Sequence, residues 1–321
     1  MLIILPMTGS KDYPTSQQQY NDTLRTETGC RAYLTRLRWP KGFLCPKCNS
    51  KGWLSKRGLY VCSAKSCQRQ TSLTAGTQLE GLSVPLHEWF EIMWGMAWQR
   101  RATTVTDARV SLARRKPAAK SDRTTTAWRC LRRLQQVMAE LEERPLEWTV
   151  EIGDTVVSTR GGRRHSVLIA AERRGRYKTG RIKLALVPTL TTDQLQAFVR
   201  KSVRPPTQVL RTAWDEVTGL AELGYALDAC GAKELARVSR VSADLQEWFR
   251  SDRRGAVRAE NLDYYLAEFA FLWNGRRNWN PGKTFYSLLK AAVTPSPPSA
   301  GVARIVVEKQ CADRLEGYLS R

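Results

Sequence analysis

Residues Phe43–Gln70 read FLCPKCNSKGWLSKRGLYVCSAKSCQRQ, and four of the chain's eight cysteines fall inside them. Cys45 and Cys48 are separated by two residues, Cys62 and Cys67 by four, and thirteen residues lie between the pairs. A tetrahedral zinc ion needs four soft ligands gathered by two tight turns, and this spacing supplies both. The segments Trp53–Arg57 and Leu59–Val61 can form the short hairpin between them. Four unlinked core thiols would not be expected beside Pro46, Lys47, Ser63 and Asn49. The reading is therefore a zinc ribbon with Cys45, Cys48, Cys62 and Cys67 as ligands. So small a module owes most of its fold to the metal. Cys30, Cys130, Cys230 and Cys311 stand alone and read as ordinary packing.

Outward from the ribbon, the charge is the next clue. Fifty-two Lys+Arg face 30 Asp+Glu over 321 residues, a net charge of +22, with 42% hydrophobic residues to build a core. Such an excess points to a polyanionic partner, most simply nucleic acid, and arginine outnumbers lysine, which suits phosphate forks. A basic protein that is merely soluble or ribosome-associated is the plain alternative. The opening Met1–Met7 run is short for a signal peptide and has no basic lead-in. No stretch approaches the ~18 apolar residues of a membrane span. The expected setting is a reducing, cytoplasmic one, where free thiols and zinc sites persist.

On the N-terminal side, Thr28 is placed to cap a helix Gly29–Arg38 with Tyr33, Leu34 and Leu37 on one face. After the ribbon, Leu86–Gln99 is an apolar helix whose tryptophans read as core. Val105–Leu112, a basic turn Arg114–Arg123, and a helix from about Thr126 to Glu143 with threonine caps have the shape of a helix-turn-helix. In that reading Arg114, Arg115, Lys116, Lys120 and Arg123 contact phosphates, and Arg129, Arg132 and Arg133 face the groove. A solvated structural pair of helices is the competing reading.

Beyond Pro145 the pattern changes to strands. Trp148–Ile152, Ser166–Ala171 and Ile182–Val187 are followed by a helix Leu195–Val203 and a strand Gln208–Thr212. That order is the order of the RNase H-like fold. Helices Asp244–Arg250, Ala259–Trp273 and Thr284–Val293 complete the expectation. Arg163, Arg164 and Arg173–Arg181 lie in turns of the sheet, where they would follow a second DNA segment. The expected class is a modular α/β (α+β) protein: helix and ribbon over 14–80, a helix-turn-helix-like region over 81–146, an RNase H-like domain with a mixed sheet over 147–293, and a linker and tail over 294–321.

These segments together resemble the bacterial zinc-ribbon insertion-sequence transposases of the DDE class. RWPKGFLCPKCNS, YVCSAKSCQRQTSLTAGT and PLHEWF carry the most specific part of the likeness, and TAWRCLRRL resembles that family's second helix-turn-helix helix. VEIGDTVVS, RTAWDEV, VSADLQEWFR and LDYYLAEFAFLWNGRRN fall in order where the family keeps its nuclease motifs. The resemblance covers about residues 14–293. It implies double-stranded DNA as partner, including insertion-sequence ends, a homodimer or higher multimer, and a nucleoid-associated location. It also implies two divalent metals, Mg²⁺ or Mn²⁺, held by three acidic or amide side chains for cleavage and joining.

The chain departs from that pattern in its catalytic half. Gly153 stands where the family's first motif has its metal-binding Asp, and Asp154 comes one residue later, which on a strand is the opposite face. In the second motif the Asp is missing between Thr212 and Ala213, leaving Asp215 beyond the tryptophan. Gln246 replaces a DNA-contacting lysine, and a histidine-glycine motif is reduced to Arg254-Gly255-Ala256. Asp154, Asp215, Glu268 and Asn274 are the candidates that remain. The expectation is a transposase-derived DNA-binding protein without strand-transfer activity. The alternatives are an active DDE transposase with a shifted carboxylate set, and a zinc-ribbon adaptor for RNA or protein.

Overall fold

The computed structural model describes residues 12–99, 101, 103–112, 120–175, 178–212, 218–231, 234–251, 257–277 and 279–294. The chain opens with α1 (Gln17–Leu24) and α2 (Glu27–Arg38). Thr26, not Thr28, caps α2: its side chain accepts from Gly29 N, with Glu27 in the favourable first turn. The ribbon is a three-stranded antiparallel sheet of β1 (Gly52–Leu54), β2 (Tyr60–Cys62) and β3 (Gln70–Thr71).

Helix α3 (Leu86–Gln99) is apolar almost all round, as a helix buried on most sides must be. Trp89, Phe90 and Met93 are fully buried, and Trp94 stacks on Tyr20 at 4.6 Å between ring centroids. Helix α4 (Val105–Ser111) starts with a reciprocal capping box between Thr104 and Asp107. Helix α5 (Lys120–Leu141) begins six residues before the expected Thr126, so Thr124–Thr126 lie inside the helix and cap nothing. Its buried stripe is Ala127, Cys130, Leu131, Leu134, Val137 and Met138, recurring every three to four residues.

The second layer is a five-stranded mixed sheet. Strands β4 (Val150–Ser158), β5 (Arg164–Arg174) and β6 (Lys178–Val187) pair antiparallel. Strands β7 (Gln208–Arg211) and β8 (Ala226–Ala229) add in parallel, giving the order β6-β5-β4-β7-β8. Strand β8 has too little apolar alternation to be anticipated from sequence. Helix α6 (Thr192–Ser202) covers one face, packing Leu195, Phe198 and Val199 on Val150, Ile152, Leu168 and Ala170. Helices α7 (Ala236–Ser251) and α8 (Leu262–Gly275) cover the other, on Val157, Val167, Ile169 and Ile182. Helix α7 starts well before the expected Asp244, because Val238, Val241, Leu245, Trp248 and Phe249 form one continuous apolar stripe.

Helix α9 (Pro281–Val293) runs against the boundary drawn from sequence. Phe285, Leu288, Leu289, Ala292 and Val293 pack into the core of the N-terminal helices, and Gln78 N donates to Ala292 O at 2.9 Å. The expected 147–293 unit thus ends, within the described residues, before α9. The last helix closes the first core.

Candidate metal centre and nucleic-acid interface

Two turns bring the cysteines together. Asn49 and Gln68, each directly after the second cysteine of its pair, adopt positive φ of 59° and 43°. Asn49 N donates to Cys45 O at 2.8 Å and Gln68 N to Ala64 O at 3.0 Å, closing each turn. The four Sγ atoms lie within 4.8 Å of one another, with Cys45–Cys67 at 3.8 Å and Cys48–Cys62 at 3.3 Å. A zinc–sulfur bond of about 2.3 Å requires a tetrahedral edge of about 3.8 Å, so the sulfurs fit the ion. Hydrogen bonds from Ser50, side chain and backbone, bring the Cys48 thiol down to about 6. Burial pushes Cys62 up to about 12. Zinc would make all four sulfurs thiolates and remove that conflict. Cys30, by contrast, is buried and donates to Leu24 O, and burial raises Cys130 to about 12. Both are packing thiols; Cys311 lies outside the described residues.

Among the arginines of α5 whose side chains are described, only Arg129 is exposed. Arg132, read from sequence as groove-facing, is buried with its guanidinium against the rings of Trp128 at 5.0 Å and of Tyr264 and Tyr265 at 4.7 Å. It donates to Gln135 Oε1 and Tyr265 Oη. Arg133 donates to the backbone carbonyls of Gln78 and Glu80 and fastens the segment after the ribbon to α5. Arg114, Arg115 and Lys116 lie outside the described residues. Lys120 and Arg123 belong to the first turn of α5, with side chains outside them too.

On the sheet, strand parity separates the candidates. Gly153 pairs with Ile169, whose side chain belongs to the α7–α8 core. Asp154 pairs with Leu168, whose side chain belongs to the α6 core. Directly opposed residues share a face, so Asp154, itself exposed, projects from the α6 side. Glu268 and Asn274 are on α8, across the sheet. The Glu268 carboxylate is buried and accepts from Thr103 N at 2.8 Å and Gln135 Nε2 at 2.7 Å, tying α8 to α5. Asn274 bridges to β6, accepting from Ile182 N, and donates to Glu142 Oε2 and Ile182 O. Asp215 lies outside the described residues. Among the described residues the four cysteines are the sole group of three or more metal-capable side chains brought together.

The face that carries Gly153 is filled. A Cβ at Gly153 would meet Val238 Cγ1 at 2.7 Å. Two residues on, Thr155 Oγ1 accepts from Ser242 Oγ at 2.6 Å and Gln246 Nε2 at 2.9 Å. Two residues back, the buried Glu151 accepts from Arg173, Arg237 and the backbone N–H groups of Arg237 and Val238 at the start of α7. The period-2 spacing of Glu151, Gly153 and Thr155 was the sequence signal for this set, and only their partners on α7 were invisible.

Residues 25–70 match the transposase zinc-ribbon domain family. The match covers α2 and the ribbon. No curated protein matches the chain. Among the described residues no helix is long and apolar enough to cross a membrane.

Proposed function

We propose that the chain is a transposase-derived DNA-binding protein that does not carry out strand transfer. The ribbon's match to a transposase domain and the net charge of +22 support the DNA partner. The observation that carries the loss of chemistry is the parity of β4. In the resembling transposases the first carboxylate stands at the position of Gly153; here that position is occupied by Val238 of α7, and Asp154 projects through the other face. A two-metal centre needs shared oxygen ligands on one side of the sheet. Glu268 and Asn274 are spent on holding α5, β6 and α8 together. Among the described residues the donors therefore do not fit Mg²⁺ or Mn²⁺, and no metal-dependent step is assigned to them. In this reading the sheet and its helices are an RNase H-like body retained as scaffold. The α4–α5 pair serves as a helix-turn-helix in which Arg129 and the basic residues Arg114, Arg115 and Lys116 meet DNA. Assembly as a homodimer or larger multimer on paired ends, and association with the nucleoid, follow from the same reading.

The test is incubation of the purified protein with labelled duplex carrying its flanking DNA ends, with Mg²⁺ or Mn²⁺. Retarded complexes without cut or joined products are expected, with affinity falling steeply as salt rises. Joined products that vanish in Asp154→Ala would establish an active transposase instead. Equal displacement of the complex by RNA would favour the adaptor reading, for which the ribbon's exposed Leu44, Trp53 and Leu54 offer an apolar contact.

A further inference from the structure

The arginines of the sheet region fall into two groups. Arg173, Arg181, Arg237 and Arg276 donate to backbone carbonyls or carboxylates of the fold. Arg160, Arg163 and Arg164 do not: all three are exposed at the β4–β5 hairpin, and among the described residues none has an ion pair. Between the first two stand Gly161 and Gly162, with φ of +82° and +74°. A Cβ built on either glycine would meet nothing within 4 Å, so the tip stands clear of the molecule.

The tip is nevertheless firmly held at its base. Thr159 N donates to Arg163 O at 2.9 Å and Gly162 N to Thr159 O at 3.0 Å, closing the turn. The Thr159 hydroxyl sits 2.9 Å from His165 Nε2, and Arg160 N donates to Val257 O at 2.8 Å. A bound partner would thus meet three unpaired guanidinium groups on a preformed, narrow support.

We infer that the Arg160–Arg164 hairpin is a second DNA contact, inserting its glycine tip into the minor groove of A·T-rich duplex. This rests on the DNA-binding reading above and adds where and how a second segment is gripped. The minor groove is about 6 Å wide and narrows further over A-tracts, where its negative potential draws in arginine. Two adjacent glycines put bare backbone at the point of closest approach. The flanking arginines then reach the groove walls and the phosphates on either side. A side chain at either glycine would thicken the tip, and positive φ disfavours one there in any case.

The test uses the full-length zinc-loaded protein and three duplexes that differ over one tract: A·T, I·C and G·C. Inosine removes the minor-groove amino group of guanine while leaving the G·C pattern in the major groove. Binding to A·T and I·C tracts is expected to be similar and at least about tenfold tighter than to G·C, with netropsin displacing the protein. Replacing Arg160, Arg163 and Arg164 by alanine should abolish the preference and the netropsin effect. It should also flatten the log–log salt dependence by about 2–3. Zinc content and circular dichroism check that the exposed substitutions leave the fold intact, and Arg129→Ala should keep the tract preference. Wild-type binding that ignores the tract or netropsin, or a triple variant that keeps the preference, would overturn the hairpin's role while leaving DNA binding in place. A wild-type protein that binds no duplex would overturn the DNA reading, and the hairpin's role with it.

Discussion

The ribbon and the sheet hold their candidate chemistry in different ways. The four cysteines lie between positions 45 and 67, and two local turns bring their sulfurs within 4.8 Å. The sheet region's described candidates, Asp154 on β4 and Glu268 and Asn274 on α8, lie far apart in sequence, and their meeting depends on strand parity and helix packing. A ribbon can drift at nearly every position and still bind its ion while four sulfurs remain. A site on a strand is undone by a one-residue displacement, because the side chain passes to the other face. On the proposed reading, that difference explains why one region keeps its constellation and the other keeps only its framework. In the framework, former site positions have become packing: Gly153 admits Val238, and Glu268 supports two helices.

The largest effect should come from the ribbon. Structural zinc in such modules is worth about 10–16 kcal/mol of apparent binding energy. Cys62→Ser should take the zinc content from one per chain to none and dissolve the β1–β3 ribbon, while the five-stranded sheet stays folded. Metal analysis with hydrogen exchange would show it; exchange spreading through β4–β6 would mean that the two regions do not fold separately. Next is Glu268→Ala. It strands the Thr103 amide and the Gln135 side chain in a buried site, a loss of about 3 kcal/mol in urea unfolding. Glu268→Gln, which keeps an acceptor oxygen, should lose about half as much. Unchanged stability in both would reopen a ligand role for this carboxylate.

Legibility from sequence followed the same divide. The cysteine spacing, the buried character of α3, and the strand, strand, strand, helix, strand order could be read because each is a local pattern. Arg132 could not, because its solvation is replaced by aromatic rings from α8 that lie far away in sequence. The place of α9 in the first core was equally hidden, since proximity in the chain grouped it with the sheet. The start of α5 at Lys120 was missed because a lysine and arginine run with threonines reads as turn. Glu268 was legible as an acid in a motif, but its hydrogen-bond partners on α5 and before α4 were not.

A smaller effect tests the filled face directly. Gly153→Asp restores the carboxylate in type, but its Cβ overlaps Val238, so a loss of about 2 kcal/mol is expected from overpacking. Adding Val238→Ala should recover part of it. If the single variant is as stable as the wild type, α7 is not seated firmly on β4, and the account of lost chemistry weakens at its base.

The smallest effect separates the two regions by the sign of their response to acid. Burial on α8 raises Asp263 to about 6, with Lys201 opposing. Between about pH 4 and 6 the folded state therefore holds more of this proton than the unfolded state. Stability from this group falls as pH rises through that window and is flat above it. The ribbon behaves oppositely, since protonating thiolates releases zinc as pH falls. Unfolding wild type and Asp263→Asn side by side at pH 4.5 and 7 cancels the zinc contribution, which both share. The variant's stability advantage should be about three times larger at pH 7 than at pH 4.5, because at pH 4.5 the unfolded carboxylate is already largely ionised while the folded one is still protonated. An advantage that is equal at both pH values would mean that Asp263 is hydrated in the folded protein, and that the α8 face of the sheet region is wetter than its packing implies.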